Sequence, residues 1–252
     1  MVSYKETANE IRKKVLTLVH KAHTSHIASN FSVIDLATVI YENLTPNDKV
    51  LWSKGWAAAT AYTFLNRLGI LKDEELAQFP NSPYFGLAEV GVPGIESSGG
   101  AMGHGLPVSV GMALAKKRAN EKGRIFCILS DGEMMEGTTW ESALLAAHNK
   151  LDNLMVVIDY NKWCAMGRTN DVLNLEPFAD KWKAFNFEVY EIDGHNFEEI
   201  ERATQATPTG KPRCIIAHTI KGKGVSFFED HLLYHYKNVE KDEYEKAMAE
   251  LS

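Results

Sequence analysis

Apolar and polar positions alternate along the chain in two different rhythms. Behind Ser3, the residues Ile11, Val15, Leu16, Val19 and Ala22 recur at helical spacing, which predicts an amphipathic helix opened by that serine. The pattern predicts a second helix over Val33 to Glu42, ended near Asn43–Pro46, and a third from Trp56 to Leu68, stopped by Gly69. From Pro80 to Gly105 the rhythm disappears, and Pro, Gly and Ser become frequent, so a long and functionally interesting loop is expected. Beyond it lie an apolar helix, Leu106 to Arg118, and then short continuous apolar runs alternating with helical segments. Ile125–Leu129, Leu154–Ile158, Phe187–Ile192 and Cys214–His218 read as strands; Thr138–Asn149 and Asn196–Ala206 read as helices. Asp242–Leu251 reads as an amphipathic helical tail. Strands of this kind imply an α/β fold, a mostly parallel sheet with helices on both faces. No repeat or linker divides the sequence, so a single domain over residues 1–252 is expected.

Composition narrows the functional classes. With 252 residues and 45% hydrophobic content, the chain buries a sizeable core without disulfides. The net charge is −6, with Lys and Arg interleaved among acids, so no nucleic-acid face is expected. No apolar run reaches membrane-spanning length, and the polar start MVSYKETANEIRKK is unlike a secretory signal peptide. Cys127, Cys164 and Cys214 are odd in number and show no paired spacing, which points to free thiols in the cytoplasm.

In a parallel sheet, ligands sit at the carboxyl ends of the strands. Candidate turns therefore follow Leu129, Ile158 and Thr219. The first reads Ser130-Asp131-Gly132-Glu133 and the second Asp159-Tyr160-Asn161-Lys162. A carboxylate and an amide oxygen on neighbouring strand ends supply hard oxygen ligands, as magnesium needs when phosphate oxygens complete its shell; calcium is the alternative cation. Gly132 lets backbone approach a phosphate, and a helix starting near Thr138 adds favourable N-terminal dipole charge. Taken singly, Asp-Gly and Asn-Lys are also common turn sequences with no further role.

Asp131-Gly132 followed by Asn161 resembles the thiamine diphosphate motif, and the intervening EMMEGTTWESALLAAHNKLDNLMVVIDYN resembles its transketolase version. SSGGAMGHGLPVSVGMALA and TIKGKGVSFFED are similar to the glycine-rich loop and a later segment of the same family. The resemblance implies Asp131, Asn161 and the Trp163 carbonyl as metal ligands. It implies Gly100, Ala101, Met102, Gly132 and Glu133 as cofactor contacts, and Glu136 as a residue coupling paired cofactors near a subunit interface. Among the nine histidines, His26 in HTSHIASNFS and His235 in LLYHYKN match family active-site positions on the sugar's path. His20, His148 and His195 read as packed or solvated.

Two positions depart from the family. Ser53-Lys54-Gly55-Trp56 carries tryptophan where the family has histidine, and the loop Asn81–Gly86 lacks a histidine, with Tyr84 a candidate replacement. Both departures suggest a changed sugar. Cys164 reads as a bystander, while Lys221 and Lys223 fit either a sugar-phosphate contact or a solvated turn. No second α/β unit follows Lys237, so the resemblance implies the N-terminal subunit of a two-gene transketolase in an α2β2 assembly with a separately encoded C-terminal subunit. The expected activity is transfer of a two-carbon ketol unit from a ketose, phosphorylated or modified, to an aldose. The rival expectations are a non-catalytic cofactor-binding or scaffolding partner and another thiamine enzyme, such as a 2-oxo acid dehydrogenase subunit or a deoxyxylulose phosphate synthase.

Overall fold

The computed structural model describes residues 3–84 and 86–252. Met1 and Val2, and Phe85 from the loop Asn81–Gly86, lie outside them. The first helix, α1 (Tyr4–Lys21), opens as its sequence predicts: the Ser3 hydroxyl accepts the Glu6 N–H at 3.2 Å while the Glu6 carboxylate accepts the Ser3 N–H at 2.9 Å. Then come α2 (Ile27–Ser32), α3 (Ile34–Glu42), β1 (Lys49–Trp52), α4 (Ala58–Arg67) and α5 (Asp73–Leu76). No helix or strand forms among the described residues between α5 and α6 (Gly105–Arg118), where the sequence predicts a long loop. The rest runs β2 (Ile125–Ser130), α7 (Gly137–His148), β3 (Leu154–Tyr160), a small hairpin of β4 (Trp163–Cys164) and β5 (Gly167–Arg168), α8 (Thr169–Val172), α9 (Phe178–Ala184), β6 (Glu188–Asp193), α10 (Phe197–Gln205), β7 (Arg213–His218) and α11 (Lys241–Glu250).

The main sheet has the order β1-β2-β3-β7-β6, and every neighbouring pair is parallel. Because side chains alternate across a strand, successive residues feed opposite cores. Phe126, Ile128, Met155, Val157, Ile215 and Ala217 pack beneath α1, α3, α4 and α10. Cys127, Leu129, Val156, Ile158, Cys214 and Ile216 pack against α6, α7 and α9. A sheet covered on both faces must be apolar throughout, which is why these strands are unbroken hydrophobic runs.

Three elements differ from the sequence expectation. The strand β1 carries no periodic signal, because four residues are too few and its pairing partner β2 is distant in sequence. The helix α2 is buried on every side, so it has no amphipathic stripe to reveal it. Asp159 and Tyr160 belong to β3 rather than to the turn after it, Asp159 being paired in register with Ser130 and Ala217. That places a carboxylate inside the sheet's edge of polar strand ends.

Candidate functional site

Four neighbouring strands end on one rim. Beyond β1 come Ser53 and Lys54, beyond β2 come Asp131 and Gly132, beyond β3 comes Asn161, and beyond β7 come Thr219 and Lys221. A cavity of about 260 Å³ opens here, lined in part by His26, Lys54, Trp56, Gly100, Met102 and His235.

Its floor is ionic and almost dry. The Lys54 ammonium pairs closely with the Asp159 carboxylate, and Ser32 donates to the same carboxylate at 2.6 Å; Thr219 also donates to it. Burial works against the Asp159 charge, yet Lys54 and these donors hold its carboxyl below the usual range. Lys221 is 1% exposed and donates to Ser29 Oγ at 3.1 Å and His235 Nδ1 at 3.0 Å. No carboxylate among the described residues lies within ion-pairing reach of it. Burial, and then the Lys54 charge, lower its pKa to about 8. The segment bearing Lys221 is braced from beneath. His195 Nε2 accepts the Ile220 N–H at 2.8 Å, and Nδ1–H donates to Asp35 at 2.7 Å. Asp35 pairs with Arg12 at 2.8 Å, and Arg12 Nε donates to the Lys223 carbonyl at 2.9 Å.

Asp131 is fully buried and, among the described residues, lacks a cationic partner. Its carboxylate accepts the N–H groups of Gly132 at 2.9 Å and Lys162 at 2.8 Å and the Thr169 hydroxyl at 2.9 Å. Burial raises its pKa to about 7; the Thr169 bond opposes this and the Asp159 charge adds to it. Asn161 Oδ1 accepts the Trp163 N–H at 3.0 Å, and its amide nitrogen reaches Ser32 at 3.3 Å. Glu133 closes the rim by accepting from Ser53, from Ser130 N–H at 2.8 Å and from Gly103 N–H at 3.3 Å. This joins the strand ends to the glycine-rich loop.

The loop reaches the rim through glycine. A Cβ on Gly55 would meet Gly100 N and Gly99 Cα at 2.5 Å each, so two backbones touch where Lys54 enters the site. Gly132 is different. Its φ is ordinary, and a Cβ there would meet only Cys164, Met102 and Ser130, at 3.5 to 4.0 Å. Neither strain nor protein packing demands glycine at this point; an added side chain would instead fill the space beside Met102 and Ser130, two residues that line the cavity. A diphosphate approaching the Gly132 backbone fits that space. The donors fit a bridging cation as well. Asp131 and Asn161 stand just beyond neighbouring strands and offer one carboxylate and one amide oxygen, a sparse set of hard donors that would leave positions for phosphate oxygens.

The mouth is aromatic. His26 stacks on Trp56 with ring centroids 4.3 Å apart, and His235 meets His26 edge-on at 4.8 Å. Burial first, then the Lys221 and Lys54 charges, lower the pKa of His26 to about 4; burial and Lys221 lower that of His235 to about 3. With Lys221 donating to Nδ1, neutral His235 carries its proton on Nε2.

Of the expected residues, His26, His235, Gly100, Met102 and Glu133 line the cavity, while Asp131, Gly132 and Asn161 lie on the rim beside it. Ala101 is exposed and outside the lining. Glu136 also lies outside, half-buried at the start of α7 against Gly103. The Trp163 ring is held by Arg168, 3.9 Å above it, and by Asp230, which accepts its N–H at 2.7 Å. Tyr84 takes no part: its hydroxyl donates to Glu75 at 3.3 Å and its ring packs edge-on against Tyr62. Ser29 escapes sequence reasoning, as does the ionic pairing of Lys54 with Asp159, although Lys54 and Asp159 both stand in segments the sequence analysis singles out. The one available signal is a charged residue set in an otherwise apolar strand, as in LMVVIDY.

Residues 3–251 match the family described as Transketolase, thiamine diphosphate binding domain. The chain belongs to the transketolase family. Among relatives of this transketolase-family chain, one of the subunits of the apulose-4-phosphate transketolase of Actinobacillus succinogenes is 35% identical, covering 97% of this chain and 94% of that protein. The 6-deoxy-6-sulfo-D-fructose transketolase subunit SqwG of a Clostridium species is 34% identical, covering 99% of this chain and 96% of that one. The human transketolase is 29% identical and is matched over 42% of its length. In three dimensions the transketolase of Campylobacter jejuni superposes with a TM-score of 0.93 at 30% identity, over 100% of this chain and 43% of that one. The chain thus spans less than half of these longer transketolases, and nearly all of the relatives that are named as subunits. The mostly parallel sheet flanked by helices is the architecture expected from the sequence.

Proposed function

We propose that this chain is the diphosphate-holding subunit of a split transketolase that moves a two-carbon ketol unit from a ketose to an aldose. The observation that carries the reading is the rim itself. A buried, undercompensated carboxylate at Asp131 and, at Lys221, a buried lysine with no carboxylate partner among the described residues flank one cavity, one suited to a cation and the other to an anion. Asp131, Asn161 and the Trp163 carbonyl would hold Mg²⁺ (or Ca²⁺), with Lys54 and Lys221 near the diphosphate and the Gly132 backbone, whose N–H is given to Asp131 in the free chain, lying against it. Gly100, Ala101 and Met102 would flank the cofactor, and Glu133 would fix the loop that bears them. When bound, thiamine diphosphate supplies the carbon nucleophile and electron sink for breaking a bond next to a ketose carbonyl. Around it, His235 offers its Nε2–H to a sugar oxygen, and His26 offers a neutral ring to a hydroxyl proton. The Lys54 and Lys221 charges disfavour a second positive charge on either ring.

Glu136 would couple paired cofactors at a subunit interface. The partner would be a separately encoded C-terminal subunit, in an α2β2 assembly; the relatives named as subunits support the need for a partner. Three free thiols suit the cytoplasm, and no helix among the described residues is long and apolar enough to cross a membrane. A non-catalytic partner role draws on Trp56, but the intact ionic floor favours catalysis. The test is calorimetric titration of thiamine diphosphate with magnesium into the chain alone and into its complex with the partner subunit. Metal-dependent binding in the complex, abolished by Asp131→Ala, supports the reading; a stable complex that binds neither overturns it.

A further inference from the structure

Trp56 stands between two cavities. It lines both the cavity at the strand ends and a second cleft of about 270 Å³ bounded by His23, Thr24, Ser25 and Tyr236. The His26–Trp56 stack, whose rings lie within 11° of parallel, is a wall common to both cavities, so a sugar held in either meets it. The stack is built in advance of any ligand. Buried Asn30 donates to the carbonyls of both members, His26 at 3.0 Å and Trp56 at 3.2 Å, and its own oxygen is fixed by the Thr60 N–H at 3.0 Å. Trp56 itself sits in a single 3-10 turn beside the Gly55 backbone contact, yet it remains 45% exposed. A large apolar face is therefore held in place and left partly exposed in this chain, in the wall of both cavities.

An indole offers one donor and no acceptor, and does not titrate near neutrality. Sugar hydroxyls meeting such a wall lose water without recovering equivalent hydrogen bonds, whereas C–H groups gain by contact. We propose that Trp56 sets the substrate class: the sugar for this site presents hydrogen or an alkyl branch, not a hydroxyl, on the carbon that meets the indole. The sugar is a deoxy or branched one, and the proposal rests on the ketol-transfer reading above. The size of the effect follows from the kind of wall. A site that hydrogen-bonds a substrate hydroxyl rejects the analogue lacking it by roughly 10⁴–10⁵-fold, while an apolar wall discriminates against an added hydroxyl by about 10²-fold at most. Trp56 thus removes a barrier to deoxy substrates and adds a moderate preference for them.

The test uses the chain in complex with its partner subunit, thiamine diphosphate and Mg²⁺, with hydroxypyruvate as donor. The hydroxypyruvate carboxylate leaves as carbon dioxide, its hydroxyacetyl unit bonds to the acceptor's aldehyde carbon, and the aldehyde oxygen takes one proton from solvent. The readout is the ratio of kcat/KM for propanal to that for glyceraldehyde, measured on each variant so that differences in folded fraction cancel. Trp56→His should lower this ratio by about 10-fold or more relative to the unmodified chain, and Trp56→Phe should keep it. A ratio equal in all three proteins, with transfer occurring, would overturn the proposal while leaving ketol transfer standing. Transfer to neither aldehyde by the unmodified complex would overturn the ketol-transfer reading itself, and this inference with it.

Discussion

At the floor of the cavity and on the rim beside it, Lys54, Lys221, Asp131 and Asp159 are buried, and each has its place fixed by hydroxyls or backbone from another element. At the mouth, Trp56 and Tyr236 are 45% and 57% exposed, and aromatic rings lean on one another. Within the floor Lys54 and Asp159 are an ion pair, so removing one leaves the other charged, buried and alone. The mouth is held by stacking and by single hydrogen bonds, so one residue changes there without upsetting its neighbours. Chemistry can therefore be kept at the floor while selectivity drifts at the mouth.

The largest effect should come from breaking the floor. Lys54→Met strands Asp159 in a dry site and should destabilise the chain by about 3–5 kcal/mol in urea unfolding. A cost below about 1 kcal/mol would place the floor on the same footing as a surface pair. Next is acid. His26 and His235 stay neutral in the fold down to about pH 4 and about pH 3, while unfolded histidines take protons from about pH 6.5 downward. Their contribution is fully present above about pH 6.5 and is lost as the pH falls through this window, so the melting temperature should drop between about pH 7 and about pH 4.5. His26→Phe should flatten part of that slope. Smaller again is His195→Asn, which loosens the brace beneath Lys221; about 1–3 kcal/mol of stability should be lost, with weaker binding of thiamine diphosphate by the complex. Tyr236→Phe removes the bond to the Ala165 carbonyl at the exposed mouth and should cost about 1 kcal/mol or less.

The legible and illegible parts of the sequence divide along similar lines. The strands β2, β3 and β7 can be read because burial on both faces leaves an unbroken apolar run. Asp131 and Asn161 can be read because each closes such a run on an adjacent strand. What cannot be read depends on distant partners. Whether Lys221 is a solvated turn residue or a buried cation is decided by Ser29 and His235, which other parts of the chain deliver. Tyr84 reads as a substitute for a lost polar group, but Tyr62 and Glu75 claim it elsewhere. The short β1 is visible only once β2 lies beside it, and with β1 comes Lys54.

The backbone contact of Gly55 with Gly99 and Gly100 has a dynamic consequence. The loop between α5 and α6 has no ladder or helix of its own among the described residues, yet the Ala88 N–H donates to the Gly55 carbonyl at 3.0 Å and the Gly99 N–H to the Ala88 carbonyl at 2.6 Å. An excursion that lifts the loop from the end of β1 must break the Ala88–Gly55 bond and part the Gly55 backbone from Gly99 and Gly100, while the Gly99–Ala88 bond lies within the loop. The Ala88 amide should therefore exchange with solvent at a pace set by the end of β1 rather than by the loop's own irregular conformation.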